Sequence, residues 1–167
     1  MRRERQSGIA LLEFTLVGLP LLFILVCVFE VARGMWVYHT VAQAVTEGAR
    51  FAAVRGRGCS TPPNDCGSTI AGVGEAVRRA GVGLLPQELE IRLESAAGAI
   101  DCRPLTVCLS DFTAWPPEPA NGPGLPVQVR AWYPFRSALA MFWPGAGPGQ
   151  QFGAVRLGAR ARESIQF

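Results

Sequence analysis

The chain has 167 residues, of which 49% are hydrophobic and 17% charged, with a formal net charge of +3. That length leaves room for one modest globular domain beyond a membrane segment. All 16 basic residues are arginine, interleaved along the chain with 13 acids. Without clustering they are ordinary surface charge and exclude a nucleic-acid footprint.

The chain opens on a short basic leader, residues 1–8, carrying Arg2, Arg3 and Arg5. From Ile9 to Phe29 only Glu13 is charged. As a helix, this run rises about 31 Å, close to the roughly 30 Å hydrocarbon core of a bilayer. Three readings of the start compete. It can be a single-pass anchor whose Glu13 reaches the interface. It can be a cleaved signal peptide, although the apolar run is long and no small-x-small cleavage site follows. Or it can be a prepilin-type start, cut after Gly8 so that Ile9 becomes the amino terminus and Glu13 the fifth residue. In hydrocarbon, a free ammonium on one subunit and a carboxylate on another neutralise each other, which gives a reason for a glutamate at this spacing. Gly8 suits a cut because no side chain blocks the approach of a protease. Under the positive-inside rule the leader stays cytoplasmic and everything beyond Phe29 lies on the far side.

The helix is expected to continue through residues 30–55. Met35, Tyr38, Ala42, Val45, Ala49 and Ala52 recur at steps of three and four. Ala42, Ala44, Gly48, Ala49, Ala52 and Ala53 also make the segment rich in small side chains, which allow close helix packing. Pro20 cannot donate to the carbonyl of Leu16, so a kink or local opening is expected there. Glu47 and Arg50 are three apart and can pair on the helix surface, worth about half a kcal/mol. Equally, Glu47, Gly48 and Arg50 can form an interface with the sheet or a neighbouring subunit.

Residues 56–167 are expected to form an exported α+β domain. With 19 Gly and 13 Pro in the chain, long loops are expected outside the helices. Gly56, Gly58, Pro62, Pro63, Asn64 and Gly67 end the long helix. A second helix is expected over residues 69–80, capped by Ser68 or Thr69, with Ile70, Val73 and Val77 on one face and Arg78 and Arg79 near its end. Period-2 alternation predicts strands at 89–94, 105–110, 127–133 and 155–162. Together they predict a small antiparallel sheet with one face covered by the second half of the long helix. Residues 114–126 are Pro-rich loop. Residues 134–151 hold Phe135, Leu139, Met141, Phe142 and Trp143, which fit under the sheet, on a membrane surface or against a partner.

Of the five cysteines, Cys27 lies in the apolar run and serves as a small hydrophobe. Cys59, Cys66, Cys102 and Cys108 form an even set in the exported part, which suits disulfides. Three pairings are possible. Cys59–Cys66 and Cys102–Cys108 are favoured because each closes a short loop beside turn residues. A zinc site is disfavoured, with no Cys-x-x-Cys present and the single His39 remote. No spacing suggests a triad, a metal site or a phosphate loop, so an enzyme is not expected, nor a cofactor.

Three places in the chain resemble the TadE-like family, minor pilins or pseudopilins of the tight-adherence (Tad/Flp) pilus. They are Gly8-Ile9-Ala10-Leu11-Leu12-Glu13-Phe14 with Leu19-Pro20-Leu21-Leu22; Ala32-Arg33-Gly34 through Tyr38 to Thr46-Glu47-Gly48-Ala49-Arg50-Phe51-Ala52-Ala53; and Tyr133-Pro134-Phe135-Arg136 before a last alternating strand. Ile9-Ala10-Leu11 departs from the Phe-Thr-Leu usual after the glycine in classical type IV pilins, which favours the Tad side. The resemblance implies a pilin-like subunit anchored in a bacterial inner membrane. Its implied partners are a prepilin peptidase, the major Flp-type pilin, other minor pilins and the inner-membrane assembly platform. Carried over, Gly8 precedes the cut, Ile9 becomes the terminus and Glu13 is the assembly glutamate. The other expectation is a membrane-tethered binding module, whose disulfide loops recognise something outside the cell.

Overall fold

The computed structural model describes residues 4–60, 66–138 and 154–166. Arg2 and Arg3 of the leader, Pro62, Pro63 and Asn64 of the expected loop, and Leu139, Met141, Phe142 and Trp143 lie outside the described residues. The chain divides into two compact units, one of Met1–Met35 with Ser137–Gly153, the other of Trp36–Arg136 with Ala154–Phe167. One helix, α1, runs over Glu4–Ala53 and is shared by both.

In the first unit, α1 is apolar on every side and buries none of them. Leu11, Phe14, Leu16, Leu19, Leu22 and Phe29 are each at least 61% exposed. A helix hydrophobic all round requires an apolar solvent. It is the one helix among the described residues long and apolar enough to cross a membrane, consistent with a single-pass anchor. The helix stays unbroken through Pro20. Thr15 Oγ1 turns back on the helix and donates to the carbonyls of Leu11 at 3.1 Å and Leu12 at 3.0 Å, so its hydroxyl needs no water. At Glu30 the apolar run ends. Its carboxylate pairs with Arg33 at 3.1 Å and accepts a bond from the backbone N–H of Ala138 at 2.9 Å.

The second unit is an α+β domain. Besides the end of α1 it holds α2 (Ile70–Ala80), β1 (Glu90–Ser95), β2 (Gly98–Cys102), α3 (Leu105–Cys108), β3 (Pro126–Arg136) and β4 (Ala154–Ser164). The strands form one antiparallel sheet in the order β2-β1-β3-β4. Val41, Ala44, Val45, Ala49 and Ala52 of α1 lie in one buried cluster with Val73 and Val77 of α2, Ile91 and Leu93 of β1, and Val127, Val129 and Ala131 of β3. Gly48 permits the close approach: a Cβ there would lie 2.5 Å from Val77 Cγ2. α2 starts where its sequence directs, with Thr69 Oγ1 accepting from the N–H of Gly72 at 3.0 Å. After α2, Gly83 turns the chain at φ +83°, against the Trp36 ring, where a side chain has neither the conformation nor the space.

Three expectations are corrected here. Residues 105–110 are not a strand. Pro104, without an N–H, sits at the N-cap of the short helix α3. Leu105 and Cys108, three apart, are buried while Val107 is 57% exposed, so helical spacing overrides the alternation. The fourth strand is instead β2, which follows β1 through a two-residue turn over Ala96 and Ala97, with Ser95 opposite Gly98. Gly98 takes φ +137° to close it. Finally, the buried stripe of α1 is offset from the expected one. Val37, Val41 and Ala44 are inside, whereas Met35 and Tyr38 are 53% and 43% exposed.

Candidate functional site

Glu13 is the only charge between Ile9 and Phe29. It sits on α1, exposed, and forms no hydrogen bond or ion pair with any described residue. Ile9 and Glu13 are four residues apart on α1, about 6 Å along the helix axis. Gly8 lies on the same helix, one residue earlier. Within six residues the helix thus carries a glycine, a position whose nitrogen a cut would free, and a carboxylate with no partner among the described residues. Such a carboxylate costs about 2.5–3.5 kcal/mol at a bilayer centre unless a cation meets it.

The second candidate lies on the domain. Glu47 and Arg50 are exposed on α1 and do not pair with each other. They line an open groove of about 730 Å³ between α1 and α2, with Phe51, Arg55, Glu75 and Arg79. Across the groove Glu75 is satisfied by Arg78 at 2.6 Å and Arg79 at 2.8 Å. Those two guanidiniums hold its carboxyl at about 2, well below the ordinary glutamate value. Arg55 stacks over Phe51, its guanidinium carbon 3.8 Å from the ring centre. Gly48 is not part of this surface; it is turned into the core against Val77.

The four cysteines beyond α1 are paired as Cys59–Cys66 and Cys102–Cys108, each with Cα atoms 5.6 Å apart. The second bridge ties the end of β2 to α3. Cys27 is free and half-buried. Among the described residues no three His, Cys, Asp or Glu side chains come together as metal ligands. His39 is exposed on α1, edge-on to Tyr38 with ring centres 5.7 Å apart.

What sequence reasoning missed is the outer face of the sheet. The signal was present in the alternation itself: Glu90, Arg92 and Glu94, then Arg130, then Arg156, Arg160 and Arg162, all off the core side. Only the register shows them as one cross-strand field.

The family model for TadE-like proteins matches residues 8–50. The chain carries a TadE-like segment. It begins at Gly8 and ends at Arg50, so Ile9, Glu13, Pro20, Glu47 and Gly48 all fall within it. The TadE-like segment fits a Tad pilus-associated protein. It covers the apolar helix and the part of α1 that packs on the domain, while α2 and the whole sheet lie beyond it. Comparison with curated proteins and with solved structures returned no match.

Proposed function

We propose that the chain is a minor pilin or pseudopilin that takes part in assembling or priming a Tad/Flp-type pilus. The observation that carries this reading is Glu13: one unpaired carboxylate on an apolar helix, five residues after Gly8, inside the TadE-like segment. A prepilin peptidase cuts after Gly8. The new ammonium of Ile9 then meets Glu13 of a neighbouring subunit, and each ion lowers the burial cost of the other. The leader stays cytoplasmic, the domain faces the periplasm, and the chain works with the major pilin, other minor pilins and the inner-membrane assembly platform. Glu47 and Arg50 add an exposed polar pair for a neighbouring subunit.

Amino-terminal sequencing of protein taken from its native membrane tests this directly. A start at Ile9 is expected. Gly8→Val leaves the chain inserted but starting at Met1. Glu13→Ala leaves the start at Ile9 but abolishes or strongly reduces piliation. A start at Met1 in the unaltered protein, or normal pili in both variants, sinks the reading.

A second reading has one observation in its favour: both disulfide loops lie outside the TadE-like segment. On that reading the domain is a tethered binding module and the helix only an anchor. Replacing residues 9–29 by an unrelated span then preserves function, whereas it destroys the function of a pilin.

A further inference from the structure

The sheet ends in a long unpartnered strand with unanswered positive charge. β4 is the edge strand next to β3, 11 residues long, and pairs with no other strand among the described residues. On the outer face the register lines up Asp101, Arg92, Arg130 and Arg160 across the four strands. On this face the arginines of β1 and β3, and Arg156 near the start of β4, each have an acid. Arg92 pairs with Asp101 at 3.3 Å and Glu94 at 3.1 Å, Arg130 with Glu94 at 3.2 Å, and Arg156 with Glu90. Arg160 and Arg162 stand out. Both lie on the edge strand, exposed and two residues apart, and neither has an ion pair among the described residues. Beside Arg160 a recess of about 470 Å³ opens between Tyr38 of α1 and Trp132 of β3.

We propose that the free edge of β4 takes up an extended acidic segment of a partner protein as a fifth strand. The open N–H and C=O groups of the edge supply main-chain bonds, and alternate acidic side chains meet Arg160 and Arg162. The row of charge across the sheet then ends on an acid at both edges, with the partner opposite Arg160 and Asp101 at the far side. In the antiparallel registers centred on residues 160–162, a second copy of β4 sets arginine against arginine with no acid of the same face beside them, which is less favourable than an acidic strand. Arginines on an edge also keep copies of the chain from pairing nonspecifically, and they do so without repelling an acidic strand. The inference rests on the sheet and holds whether or not the chain is a pilin.

The test uses the full-length protein in neutral detergent micelles and a fluorescein-labelled peptide of three Val-Glu repeats, read by anisotropy. Binding at least tenfold tighter than to the Val-Lys counterpart is expected. Arg160→Glu with Arg162→Glu, checked for folding by circular dichroism, is expected to reverse that preference. A Val-Glu peptide N-methylated on alternate amides is expected to lose at least tenfold. Equal binding of the two charge types, or no binding of either at millimolar peptide, overturns the proposal. An N-methylated peptide that binds as well as the parent leaves charge attraction alone and overturns the added strand. Self-association of the micelle-bound chain that disappears in the double variant assigns the edge to a second copy and overturns the acidic partner.

Discussion

The two halves of α1 use opposite means to be helical. From Leu11 to Phe29 most side chains are large, apolar and exposed, with Phe14 78% and Leu19 68% exposed. After Met35, one side shrinks to Val41, Ala44, Val45, Gly48, Ala49 and Ala52, all buried. The first half has side chains suited to hydrocarbon as solvent; the second has side chains suited to a neighbouring backbone. A continuous helix can therefore be read in two parts from side-chain volume alone, because lipid tolerates bulk on every side and a packed interface does not.

The largest expected contrast comes from truncating one leucine in each solvent. Leu93→Ala removes a fully buried side chain from β1 and is expected to cost about 2–5 kcal/mol in denaturant unfolding of the domain. Leu22→Ala, at a position 61% exposed on the apolar first half, is expected to leave that unfolding curve unchanged. Equal losses from both would erase the distinction.

A glycine pair sharpens it. At Gly48 an added Cβ meets Val77 Cγ2 at 2.5 Å, whereas at Gly18 the nearest atom beyond its neighbours is a Phe14 ring carbon at 3.9 Å. Gly48→Ala is expected to lower domain stability by about 1–3 kcal/mol through overpacking. Gly18→Ala is expected to be neutral or slightly favourable to the helix, as judged by thermal melts of the two variants in micelles.

The smallest effect is a pH dependence confined to the second unit. Glu75 is held at about 2 by Arg78 and Arg79. A carboxyl with a lowered folded pKa contributes stability that is complete above its unfolded value, about 4.3, and is lost as pH falls toward 2. Glu75→Gln is therefore expected to be slightly less stable than the parent at pH 7 and indistinguishable near pH 2. A constant difference across that window, in paired urea titrations, excludes the ion-pair origin.

Much of the fold was legible because it rests on local chemistry. Thr69 marks the start of α2, and the alternations at 89–94, 127–133 and 155–162 mark three strands. The failures share a cause: each depends on a partner distant in sequence. Residues 105–108 are helical because Leu105 and Cys108 both reach the core, which alternation cannot reveal. β2 has no strong pattern of its own and forms because β1 supplies the pairing. The stripe on α1 is set by where α2 and β3 lie. Of the candidate site, Gly8, Ile9 and Glu13 can be proposed from sequence because they lie within six residues. The arginine field on the sheet was not, because Arg92, Arg130 and Arg160 become neighbours only through register.

The last described residues fasten the domain to the first element it contains. Ile165 is buried, exchanges backbone bonds with the Gly124–Leu125 turn, and is followed by Gln166, whose N–H donates to the carbonyl of Ala53 at 2.9 Å. Synthesis runs in the opposite sense: the end of α1 leaves the ribosome more than a hundred residues before this clasp does. At about 5–20 residues per second, its small-residue stripe waits on the order of ten seconds for β3, β4 and Ile165. Until then that stripe is an uncovered apolar surface, and a chain stalled before residue 165 presents it indefinitely to whatever folding factors surround it.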